Sequence, residues 1–137
     1  MNDSELAIPP DFTPHDSPSN FMRLMGPMYK KEAPNGTAII ALRVAQQHLN
    51  LHGIAHGGLV ATLLDNAIGY NVSVALGSGI VTANLSIDYM ASSRLNDWIE
   101  VDVTINKEGR RMCFAEGTLR KGDLVLARGT CIVVPTT

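Results

Sequence analysis

One stretch governs what this chain can fold into: residues 56–77, His-Gly-Gly-Leu-Val-Ala-Thr-Leu-Leu-Asp-Asn-Ala-Ile-Gly-Tyr-Asn-Val-Ser-Val-Ala-Leu-Gly, in which Asp65 is the single charged residue. The run has helical length and is apolar on nearly every side, which predicts a helix buried all round. The rest of the chain must wrap it. An ionised carboxylate in such surroundings is costly unless it is paired, protonated or in use. No Lys or Arg lies within a helical turn or two of Asp65, so it is the first candidate for chemistry.

The flanking sequence supplies strands. Residues 1–20 carry Pro9, Pro10, Pro14 and Pro18 among Asp, Ser and Thr, and are expected to form a flexible tail or loosely docked arm. Residues 21–137 are then one domain, which the length of 137 residues accommodates. Residues 20–25 read as a short amphipathic segment anchored by Phe21, Leu24 and Met25. A short strand over 26–32 closes at Pro34-Asn35-Gly36, where Asn-Gly suits a tight hairpin. Residues 37–48 alternate, with Ile40, Leu42 and Val44 facing one way and Ile39, Ala41 and Arg43 the other, as in a half-buried strand. After the helix, strands are predicted over 80–89, 98–107, 112–120 and 124–134. The last two links contain Gly109 and Gly122, so the final strands are expected to be antiparallel neighbours. The helix is the element available to cover an antiparallel sheet. The fold class is therefore α+β, a curved antiparallel sheet wrapped around one long central helix, with strand order left open.

Charge and cysteine usage narrow the function. A net charge of −2 and a pI near 6.0 provide no basic field, so nucleic acid is not an expected partner. No segment reads as membrane-spanning, and the N-terminus lacks a basic then apolar leader. Cys113 and Cys131 sit in apolar, strand-like runs without CxxC spacing and read as buried thiols, which suits a reducing, cytoplasmic setting. The charged fraction of 18% is sparse enough to suggest that part of the surface is buried against another copy.

Polar residues gather where the helix begins, at Asn50-Leu51-His52-Gly53-Ile54-Ala55-His56-Gly57-Gly58. Gly57 and Gly58 either permit tight packing under the sheet or let a ligand reach the unpaired first-turn amides, at the positive end of the helix dipole. In the second reading those amides polarise a carbonyl oxygen. Asp65 lies eight residues beyond Gly57, about 12 Å along a helix, so one carbonyl cannot touch both in a single chain. If both take part, two helices must run antiparallel across a two-fold axis, with Gly57 of one copy facing Asp65 of the other. His56 is either a structural histidine or an acid or base. His48, His52 and His56 recur every four residues, but Gly53 breaks the helix there and no Cys, Asp or Glu completes a ligand set. No metal site is expected. Asn66, Asn71 and Ser73 are expected to hydrogen-bond in the core or across a dimer, Ser73 lacks a nucleophile elbow, and Gly77 reads as a helix cap.

His56-Gly57-Gly58 with Asp65 nine residues after the histidine, Asn50 upstream, and Thr82-Ala83-Asn84-Leu85-Ser86-Ile87-Asp88-Tyr89-Met90 in the next strand resemble the hotdog-fold acyl-CoA thioesterases. The resemblance runs from about Phe21 to Val134 and points to the phenylacetate-degradation type. It implies dimers joined through their sheets and commonly homotetramers. It also implies that the Gly57 amide polarises the thioester carbonyl, that Asn50 positions substrate or water, and that the partner subunit's Asp65 acts as general base or nucleophile. Thr82 falls where relatives carry a hydroxyl that binds the catalytic water. Gly58, Ala83 and Asn84 are further substrate-binding candidates beside this motif, and Arg110 and Arg111 are candidates for the coenzyme A phosphates. The expected substrate is an aryl-acetyl or medium- to long-chain acyl-CoA, hydrolysed without metal or added cofactor because the thiolate leaves readily. The competing readings are a non-catalytic acyl-CoA-binding protein and a hotdog hydratase or dehydratase.

Overall fold

The computed structural model describes residues 6–136. In chain order these form β1 (Thr13–Pro14), α1 (Asn20–Met25), β2 (Tyr29–Glu32), β3 (Ala38–Arg43), α2 (Gly57–Leu76), β4 (Ile80–Tyr89), β5 (Trp98–Glu108), β6 (Cys113–Lys121) and β7 (Leu124–Pro135). The strands make one antiparallel sheet in the order β1-β2-β3-β5-β6-β7-β4. The sheet curls around α2, which packs on β3 through β7. This is the hotdog architecture.

The seat for α2 is built from missing side chains. Gly117 on β6 and Gly129 on β7 lie opposite each other in register. A Cβ on Gly117 would come within 3.2 Å of Leu64 and 3.3 Å of Ile68, and one on Gly129 within 3.5 Å of Leu64. Both α2 residues are fully buried, each worth about 1.5–3 kcal/mol of transfer free energy. Around them pack Leu63, Ala67 and Val72 of the helix and Ile40, Leu42, Val101 and Val133 of the sheet. The helix ends as its sequence requires: His56 Nδ1 accepts from the Gly58 amide at the N-cap, and Gly77 closes the C-terminus with φ 64°.

Coverage of α2 is less complete than its composition implies. Ala61, Thr62, Asp65 and Asn66 form a half-buried strip along the helix. At 20 residues and a hydropathy of 1.3, α2 also reaches membrane-spanning length and apolarity, contrary to the expectation that no segment does. Half of it lies inside the sheet, which supplies its apolar surroundings. Asn71 serves the core as expected. Its Oδ1 accepts from the Ala38 amide at 2.7 Å, and its Nδ2 donates to the Ala38 and Ala67 carbonyls at 2.9 Å, satisfying the start of β3.

Of the two expected forms of the N-terminal segment, residues 6–20 take that of a docked arm; residues 1–5 and 137 lie outside the described residues. Thr13–Pro14 adds a short strand to β2, and the His15 amide donates to the Met28 carbonyl. Phe12 meets Trp98 edge-on at 5.2 Å, Tyr29 leans on the same ring, and Arg43 lies over it while donating to the Ala7 and Asn96 carbonyls. This layer explains why β3, expected to be half-buried, has Ile39 and Ala41 buried as well as Ile40 and Leu42. Within α1 the anchors are Met22, which is buried, and Met25, which packs partly buried against the core as expected. Phe21 and Leu24 are 55% and 69% exposed because the other side of the helix turns inward.

His15 is buried with its ring edge-on to Tyr70 of α2 at 4.6 Å. Burial, reinforced by Lys30 and opposed by Asp16, lowers its pKa below 6.5. Just below 6.5 the unfolded chain therefore takes up a proton more readily than the folded one, so His15 removes stability as pH falls. Thermal denaturation at about pH 7.5 and about pH 5.5 is expected to show a smaller acid-induced loss of Tm in His15→Phe than in wild type. Gly117→Val is expected to lower unfolding stability by about 1–3 kcal/mol, read from the denaturant midpoint, because it overpacks the α2 seat.

Candidate active site

Asp65 is met by one hydrogen bond. Thr82 Oγ1 on β4 donates to Asp65 Oδ1 at 2.6 Å, and among the described residues no ion pair engages this carboxylate. A β-bulge makes the contact possible. Thr82 pairs with Val133, which faces the helix, whereas Asn84 pairs with Ile132, which faces outward; Ala83 is the extra residue between them. Thr82 therefore points at α2. Asn84, expected beside it, lies on the opposite face, where its Oδ1 accepts from Ser86 Oγ. Ala83 is exposed on the edge strand.

Cys131 joins this cluster without having been singled out as a site residue. Burial first, then the Asp65 charge, pushes its thiol up to about 11, while the nearby Thr82 hydroxyl works the other way. It is thus a neutral thiol beside the carboxylate at neutral pH. Alternation along β7 could have revealed its inward direction, but not the helix residue it would meet.

The second cluster lies at the start of α2. Among the described residues no hydrogen bond engages the Gly57 amide, whereas the Gly57 carbonyl accepts from Tyr89 Oη at 2.8 Å. The Gly58 amide is taken by His56 Nδ1 at 2.7 Å, so that amide is closed to a ligand in this conformation. A Cβ on Gly58 would sit 3.0 Å from that same nitrogen, which favours glycine two residues after His56. His56 is a capping residue here, its own amide donating to the His48 carbonyl. His48 is buried, with Nδ1 accepting from Ala45 and Nε2 donating to the Met25 carbonyl, so both ring nitrogens are engaged away from His52 and His56.

Asn50 Oδ1 accepts from the His52 and Ile54 amides, which folds the approach loop and leaves the Nδ2 donors available. Asn50, Gly57, Tyr89, Ser92 and Ser93 line a cavity of about 310 Å³ with Ile54, Val60, Met90 and Leu126. Tyr89 and Ser93 had no site role in the sequence reading. Asn50 and Gly57 are thus brought together, while Asp65 and Thr82 stand about 12 Å farther along the helix. Arg110 and Arg111 are exposed in the β5–β6 loop. The register Glu108–Cys113–Val133–Thr82 puts that loop at the Asp65 end of the sheet, remote from Gly57 of the same chain.

Residues 52–128 match the family model described as the thioesterase superfamily. A candidate esterase of Pseudomonas aeruginosa is 34% identical over 124 residues, covering 89% of this chain and 92% of that protein. The chain belongs to the thioesterase superfamily. Human acyl-coenzyme A thioesterase 13 is 31% identical over 96 residues, 69% of each chain. The crystal structure of a Streptococcus mutans protein bound to acetyl-CoA superposes with a TM-score of 0.68 at 31% identity, covering 72% of this chain and 79% of that one.

In this superfamily member the capping role of His56 is separable by substitution. His56→Ala is expected to cost about 1 kcal/mol of unfolding free energy, whereas His56→Asn, which keeps an acceptor at the N-cap, stays within a few tenths of wild type in denaturant titrations.

Proposed function

We propose that the protein hydrolyses acyl-CoA thioesters, at two equivalent sites each completed by a second copy of the chain. One observation carries this reading. A helix N-terminus with an unengaged amide and a carboxylate held by a single hydroxyl stand on the same helix, about 12 Å apart. A dimer with antiparallel α2 helices sets Gly57 of one copy against Asp65 of the other and supplies both halves of a hydrolytic site. Two features support that assembly. The ten-residue strand β4 lies at the sheet edge, paired only with β7, and a long open edge calls for a partner. The half-buried strip of α2 around Asp65 and Asn66 lies alongside it.

In the assembled site the thioester carbonyl oxygen takes the Gly57 amide, whose helix dipole favours the negative charge that develops there. The Asn50 Nδ2 donors stand beside it to orient the ligand. Asp65 then either removes a proton from water as its oxygen attacks the carbonyl carbon, or attacks that carbon itself to give an anhydride that water opens. In both routes the C–S bond breaks, and the coenzyme A thiolate leaves and takes up a proton. Thr82 has already committed its hydroxyl proton to Asp65, so its oxygen can only accept, which suits it to holding the attacking water. Arg110 and Arg111, at the Asp65 end, are placed to meet the coenzyme A phosphates once the partner's Gly57 has been brought there. The acyl groups expected are aryl-acetyl or medium- to long-chain. The named relatives, an acyl-coenzyme A thioesterase and a protein bound to acetyl-CoA, support this chemistry.

Thiol release from a panel running from acetyl- through phenylacetyl- to palmitoyl-CoA tests the proposal. Asp65→Asn is expected to lose roughly 100- to 10,000-fold in kcat while sedimenting as the same dimer. Wild-type turnover in that variant, or a monomeric active enzyme, would overturn it.

A further inference from the structure

The cavity beside Gly57 contains a polar group that the hydrolytic reaction as drawn does not use. Ser93 is 3% exposed, and among the described residues its hydroxyl has no hydrogen-bond partner. Among the described residues the other buried side-chain atom in that condition is Arg43 Nε, whose guanidinium is already held through its two terminal nitrogens. Ser93 has no such compensation. Its surroundings are also fixed, because the Ser93 carbonyl accepts from the Ala55 amide at 2.9 Å. The Met90 and Ala91 amides both donate to the Leu126 carbonyl, and the Arg94 amide donates to Asp97. Main-chain bonds on both sides hold the residue in the cavity wall, where a small apolar residue would bury without an unmet hydroxyl. Alanine would fill the position equally well if packing were its only task.

We infer that Ser93 is a specificity-determining residue: its hydroxyl hydrogen-bonds an oxygen carried by the acyl group whose thioester carbonyl rests on the Gly57 amide. The preferred substrates are then acyl-CoA esters with a hydroxyl or keto oxygen on the acyl part, over the plain acyl group of the same size. The inference rests on the thioesterase reading above. The acyl half of the ligand is assigned to this cavity because Ile54, Val60 and Leu126 line it. The amides of the pantetheine arm would be left unpaired against those walls, whereas an acyl chain with one oxygen matches apolar surroundings with one free hydroxyl. Ser93 turns about a single side-chain torsion, so its oxygen can meet the ligand without movement of the pinned backbone.

The test compares kcat/KM for thiol release by wild type and Ser93→Ala on two matched pairs, octanoyl- with 3-hydroxyoctanoyl-CoA and phenylacetyl- with 4-hydroxyphenylacetyl-CoA. Wild type is expected to favour the oxygenated member of at least one pair by about 10-fold or more, and the ratio is expected to fall toward one in the variant. Equal rates within both pairs for wild type, or a preference that survives in Ser93→Ala, overturns the inference. An equal loss on all four esters overturns it too, since that would place the contact on the coenzyme A arm. If wild type releases thiol from none of the four, the hydrolytic reading fails separately. Calorimetric titration of the same esters into both proteins then decides Ser93 by the corresponding ratio of Kd values.

Discussion

An apolar helix with few polar positions must be enclosed, and the contact of Leu64 and Ile68 with Gly117 and Gly129 is where this molecule achieves it. With two side chains absent from the middle of the sheet, α2 sinks close to the backbone of β6 and β7, and the neighbouring strands can curl up on either side. The helix then lies at a fixed height in the sheet. The hairpins β5–β6 and β6–β7 carry the seat, β3 and β4 form the flanks, and the N-terminal arm packs on the far surface around Trp98.

That rigidity separates the polar groups. Residues on one straight helix cannot approach each other, so the amide at the N-terminus and the carboxylate two turns on remain apart whatever the loops do. Each is held by a contact to the end of β4 nearest it: Tyr89 to the Gly57 carbonyl, Thr82 to Asp65. Strand and helix thus form a frame with one functional half at each end. The frame has a natural complement in a copy of itself turned end for end.

The sequence revealed most of this frame because two periodicities are strong in it. Residues 84–89 and much of the later strands alternate, the helix is a single uninterrupted run, and Asp65 stands out against it. The missed features depend on contacts between distant residues. Proline-rich composition left open whether residues 6–20 dock and where, because Phe12 and His15 gain their partners only after Trp98 and Tyr70 are in place. Met22 could not be told from Phe21 and Leu24 as an α1 anchor until the direction of approach was fixed. The loss of the Gly58 amide to His56 is a local bond that two adjacent glycines made hard to foresee. Cys131 and Ser93 look like ordinary filler in the sequence and acquire meaning only from what stands opposite them.

The bulge at Ala83 has a consequence for how this site can vary. In a regular strand, residues two apart share a face, and the extra residue cancels that rule at one point. Were the bulge ironed out into a regular ladder with the chain length unchanged, Val81 would turn toward the helix and Thr82 toward solvent, stripping Asp65 of its partner without altering a single polar side chain. The pairing of acid and hydroxyl is therefore encoded in the spacing of the chain as much as in its chemistry. Changes that iron out the bulge, rather than changes at Asp65 or Thr82 themselves, would let descendants of this sequence keep the fold and lose the site.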